Sequence, residues 1–194
     1  MGFCLAEMGL NLGIPNDPAA FAHNWAGLAA FAMSFLFVSV LWWYHHKLFA
    51  TYFVLNPLTV TLNFVMLGTL ALAVYFVQVA LHFMTLPGVN PALPVLCWFG
   101  ALAIVYTIIS VQYSIGIAYR RASISENELR FGVNRVFRTA VIAVLMATFC
   151  AAVFIFHQLL FASYAMVGAI AILRILQRVL VPKITARLLA ERAA

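Results

Sequence analysis

Residues Pro57–Phe83 read PLTVTLNFVMLGTLALAVYFVQVALHF, 27 positions without one Asp, Glu, Lys or Arg. As a helix this stretch extends about 40 Å at ~1.5 Å per residue, more than the ~30 Å hydrocarbon core of a bilayer. Its apolar residues occupy every side of the helix rather than one stripe, which suits lipid and not the surface of a water-soluble domain. The preceding Asn56 and the proline at the first helical position make a sound start, because the missing proline N–H has no partner there anyway.

Working outward, four further stretches satisfy the same test, roughly 20–44, 92–119, 136–156 and 158–180. The chain of 194 residues is 66% hydrophobic and 8% charged, with a mean hydropathy of +1.05. A soluble domain carries about 25% charged residues, so a soluble enzyme is excluded. Disorder is excluded as well, since it requires low hydrophobicity. The expected fold class is all-α: one polytopic membrane helix bundle over residues 1–194, with five clear spans and a cytoplasmic tail from 181 to 194. Leu86-Pro87-Gly88-Val89-Asn90-Pro91 reads as a tight turn between two spans. Ser125, with Glu128 three residues later, reads as a cap for a short helix within the polar segment 120–138.

All eleven basic residues fall on one side of this layout. Lys47 follows the first span. Arg120, Arg121, Arg130, Arg135 and Arg138 follow the third. Arg174, Arg178, Lys183, Arg187 and Arg192 close the chain. The opposite turns near Pro87 and His157 carry none, so the positive-inside rule puts the basic side and the C-terminus in the cytoplasm and the N-terminus outside. The membrane expected is a bacterial-type inner membrane. The same rule accounts for the net charge of +6 without nucleic acid as a partner. Arg174, inside the last span, has a stem long enough to reach the headgroups.

Residues Ser34–Phe49 read SFLFVSVLWWYHHKLF. This stretch resembles the second transmembrane helix of the transmembrane protein 175 family of potassium channels, where a Ser-Phe start leads to W-x-x-H-H, a basic residue, leucine and phenylalanine. Asn63 resembles the asparagine early in that family's third helix, and Tyr106 the tyrosine midway along its fourth. The resemblance in layout runs from about Leu5 to Arg187 and is of the single-repeat, prokaryotic kind. It implies a subunit of a homotetrameric, potassium-permeable pore whose selectivity comes from a hydrophobic constriction and partial dehydration of the ion. It also implies that Trp42, His45 and His46 join Asn63 in a polar cluster tying helices together. The family's first helix carries a Phe-Ser-Asp motif and supplies the constriction. Phe-Ser-Asp is absent from this sequence, and residues 1–19 read either as an external surface segment or as a first-helix remnant of a six-helix unit. Only Leu5, Leu10 and Leu12 correspond to that helix, outside its usual constriction.

Other readings stand beside this one. His45 and His46 at a membrane boundary are equally explained by interfacial packing among aromatics. Asn63, Gln78, Ser110, Gln112 and Ser114 mark either interhelical hydrogen bonds or a solvated path. Ala22, Ala26, Ala30 and Ser34 form a small-residue stripe, suited to bundle packing or to docking another helix. A non-conducting structural or regulatory protein of the same fold is the first alternative function. A haem-binding redox protein using His23, His82 and His157 is the second, with no ligand spacing to support it. The three cysteines Cys4, Cys97 and Cys150 suit neither a disulfide framework nor a zinc site. No nucleophile–base pair, paired carboxylate or phosphate-cradling loop occurs. The expectation is therefore a channel, not an enzyme, with no cofactor and no metal, whose partners are the lipid bilayer and potassium ions.

Overall fold

The computed structural model describes residues 25–156 and 159–193. Expectations that fall on Leu5, Leu10, Leu12, His23 and His157, and on the side chains of Trp25, Ala26 and Ala30, lie outside the described residues. Within them the chain is all-α: α1 (Trp25–Lys47), a π-helical turn (Leu48–Tyr52), α2 (Pro57–Thr85), α3 (Ala92–Arg120), α4 (Glu126–Phe156) and α5 (Leu159–Ala193). Four of these helical stretches among the described residues are long and apolar enough to cross a membrane: 27–52, 57–85, 92–120 and 126–155. The expected fifth span falls partly on residues whose side chains are not described.

Local chemistry explains the boundaries. At the start of α2, Thr59 N–H donates to Asn56 Oδ1 at 2.8 Å, and Asn56 N–H donates back to Thr59 Oγ1 at 3.3 Å, a reciprocal cap completed by Pro57. Gly88 takes φ +78° in the turn between α2 and α3, a backbone region that costs glycine little. A second reciprocal cap opens α4, with Glu128 N–H donating to Ser125 Oγ and Ser125 N–H to Glu128 Oε2 at 2.8 Å. The Ser125 cap was expected to open a short helix. Instead it opens a continuous helix that passes through the polar segment and on through the fourth expected span. The Glu126–Arg130 pair at 2.6 Å supports its first turn, and the buried Leu129 and Val133 anchor it to the core.

α5 runs to Ala193, through Pro182. Val181, Leu188 and Leu189 pack against the main core, and Thr185 is buried with its hydroxyl on the Val181 carbonyl at 2.8 Å. That packing outweighs the hydrogen bond that the proline removes.

Helices adjacent in sequence are neighbours in space, α1 with α2 through to α4 with α5. α3 is the central element, with Val105, Ile109 and Tyr113 almost wholly buried. Its packing against α1, α2 and α4 forms the main core. Large apolar side chains cover the outside, Leu93 at 70% and Phe154 at 73% exposure among them. That inversion of the usual surface is what a lipid solvent favours, and the chain is an integral multi-pass membrane protein.

Candidate functional site at the basic end of the bundle

The end of the bundle that carries the basic residues also holds most of the side-chain hydrogen bonds between helices and a run of ring contacts along residues 42–53. His45 Nε2 donates to Asn63 Oδ1 at 2.9 Å and so joins α1 to α2. Trp42 stacks on the His45 ring at 5.9 Å between centroids, Phe49 lies 4.4 Å from it on the next turn, and Phe53 stacks on Phe49 at 4.0 Å. Hydrogen bonding therefore fixes His45 at one edge, and aromatic faces confine it on two sides. His46 is exposed and makes none of these contacts. The structure thus brings Trp42, His45 and Asn63 together and leaves His46 out.

The π-helical turn closes on a bond from Phe53 N–H to the Leu48 carbonyl at 2.8 Å. It delivers Tyr52 into the core beneath α3. Tyr52 is fully buried, packs 5.0 Å from Tyr113, and donates its hydroxyl to the Glu128 carbonyl at 2.6 Å. Two glycines make room. A Cβ on Gly116 would sit 2.2 Å from the Tyr52 carbonyl oxygen, and one on Gly132 2.8 Å from the Tyr52 ring. Tyr113 donates its hydroxyl to the Tyr44 carbonyl at 3.0 Å. Tyr44 meets Tyr106 edge to face at 6.3 Å, and the Arg135 guanidinium lies 4.1 Å over the Tyr44 ring. Sequence reasoning singled out Tyr106 but missed Tyr44, Tyr52 and Tyr113. No local signal marks them: the partners of Tyr52, Gly116 on α3 and Gly132 on α4, are distant in sequence and are revealed only by the fold.

Most of the polar residues within spans serve as ties. Ser110 donates to the Val136 carbonyl at 3.1 Å, joining α3 to α4, and Gln112 Nε2 donates to the Thr59 carbonyl at 3.2 Å, joining α3 to α2. Ser114 bonds back to Ser110 on its own helix. Ser34 Oγ and Gln112 Oε1 are buried without a partner among the described residues. At the far end of α5, Glu191 accepts from Arg187 and from Arg121, each at 3.0 Å, pinning the helix to the α3–α4 connection. Those bonds, Arg187's first, hold its carboxyl below the usual range. Among the described residues no group of three His, Cys, Asp or Glu side chains is placed to hold a metal ion. His82, the described member of the proposed haem ligands, is exposed.

These features define a class: a polytopic membrane protein whose helices are locked together at one end by aromatic and polar contacts. Within that class, the family described as endosomal/lysosomal potassium channel TMEM175 matches residues 7–73 of the 194. The matched stretch contains α1, the π-helical turn and the first half of α2, and with them both partners of the His45–Asn63 bond. No curated protein and no solved structure matches the chain.

Proposed function

We propose that the chain is a subunit of a potassium-permeable channel, passing the ion passively down its gradient, with the basic end of the bundle in the cytoplasm. The observation that carries the reading is the coincidence of the TMEM175 match with the Trp42–His45–Asn63 contact. Three of the residues that carry the resemblance, Trp42, His45 and Asn63, are linked by ring stacking and a hydrogen bond. In this reading the cluster is a positioning device. It sets α1 against α2, and a homotetramer of such units encloses the pore. No Asp or Glu lies deep in the described spans, which favours passive conduction over proton-coupled transport.

The test is potassium efflux from proteoliposomes loaded with potassium chloride, followed with a dye that reports the compensating proton uptake. Flux above that of protein-free liposomes, exceeding the flux with sodium in place of potassium, is expected. Proteoliposomes as tight to potassium as empty ones would overturn the reading.

A further inference from the structure

A groove between α4 and α5 opens at the basic end, with a volume of about 770 Å³. Arg130 and Arg138 from α4 and Arg174 and Arg178 from α5 line it, and Gln177 donates to Asn134 Oδ1 across it at 2.7 Å. The residues follow helical spacing on both sides, so the two helices present matched basic stripes to one space. A second cavity of about 400 Å³ continues the first. It shares Arg138, Arg174 and Gln177 with the groove, and its remaining walls are Tyr106, Val141, Ile142, Leu145, Met146 and Ile170. The whole is amphipathic, cationic at its mouth and apolar beyond.

Three of the four arginines in it have no carboxylate partner among the described residues. Of the five Asp and Glu residues, three lie among the described residues, and all three are engaged elsewhere. Glu126 pairs with Arg130, Glu191 with Arg121 and Arg187, and Glu128 is bound back to Ser125. Arg138, Arg174 and Arg178 are left without a carboxylate among the described residues. Arginines sharing one cavity repel each other, and an anion brought from outside relieves that repulsion.

We propose that this groove binds one anionic phospholipid. Its phosphate sits among Arg138, Arg174 and Arg178, and an acyl chain runs into the apolar chamber against Ile142, Leu145 and Ile170. A free inorganic anion satisfies the arginines but leaves the chamber empty. A zwitterionic lipid fills the chamber but brings its own cation to the arginines. An anionic lipid answers both halves, and basic pockets between membrane helices suit such headgroups.

The test is titration of the delipidated full chain in detergent with phosphatidylglycerol, phosphatidylcholine or inorganic phosphate, with bound adducts counted by native mass spectrometry. Phosphatidylglycerol is expected to bind at least roughly tenfold more tightly than phosphatidylcholine, and the triple variant R138Q/R174Q/R178Q to lose about 100-fold of that affinity. The single variant Arg178→Gln, at an exposed position that leaves the fold intact, is expected to lose about fivefold. Lys183→Gln, exposed on the same helix but outside the groove, is expected to bind as the unaltered chain does. Equal binding of the two lipids, an Arg178→Gln affinity matching that of Lys183→Gln, or displacement of phosphatidylglycerol by equimolar inorganic phosphate would each overturn the proposal.

Discussion

Tyr52 and Gly116 meet backbone to backbone: a β-carbon on Gly116 would stand 2.2 Å from the Tyr52 carbonyl oxygen. The obstacle is main chain, so no rotamer change relieves it. Gly116→Ala is therefore expected to push the π-helical turn off α3 and to cost about 3 kcal/mol or more, the upper range for overpacking. Thermal unfolding of the purified variant in detergent measures it. A melting temperature within a degree or so of the unaltered chain would contradict the contact.

Tyr52 is held at its other end by the hydroxyl on the Glu128 carbonyl. Tyr52→Phe keeps the ring and removes the bond, so a loss of about 1 kcal/mol is expected. Because the bond reaches the first turn of α4, amide exchange over residues 126–130 is expected to quicken while exchange in α2 stays as it was.

The His45–Asn63 bond joins α1 to α2. Unfolding of His45→Phe, Asn63→Leu and the double variant in mixed detergent micelles forms a cycle. It is expected to return a coupling of about 0.6–1.7 kcal/mol. His46→Phe paired with Asn63→Leu is expected to show no coupling, since His46 stands outside the cluster. A coupling as large for His46 as for His45 would show the cluster to be misassigned.

Glu191 responds to pH in a direction fixed by its partners. Its carboxyl is held below its ordinary value of 4.5, first by Arg187 and then by Arg121. The link therefore contributes fully above that value and is lost as pH falls through the depressed one. Hydrogen exchange corrected for intrinsic rates is expected to show the last turns of α5 less protected at pH 3 than at pH 6. Glu191→Gln is expected to show the low protection at both, and a variant that keeps the pH dependence would place its origin elsewhere.

Much of the fold was legible because local chemistry decides it. Asn56-Pro57 and Ser125 with Glu128 announce helix starts that the structure contains, since caps act within four residues and need no tertiary partner. The length of α4 was not legible. The polar segment 120–138, with its five arginines, reads as a connection holding at most a short helix until Leu129 and Val133 are known to be buried beneath it. The site divides the same way. His45 stood out through the W-x-x-H-H resemblance, and Asn63 also because a polar side chain in an apolar run needs an explanation. Tyr52, Gly116 and Gly132 did not, because in a membrane sequence a tyrosine or a glycine is unexceptional until a distant backbone is found against it. The groove arginines were read only as topology signals. Their shared cavity depends on how α4 and α5 face each other, which no single helix encodes.

The π-helical turn at Leu48–Tyr52 has a consequence for how the chain tolerates change in length. A bond spanning five residues instead of four accommodates one extra residue, and each residue added to or removed from a helix swivels all that follows by about 100°. Deleting one position there would leave a shorter, perfectly regular rod, yet it would aim the Tyr52 ring away from the notch cut by the two glycines. In this stretch, regularity and correct aim are opposed, and the molecule keeps the irregular coil.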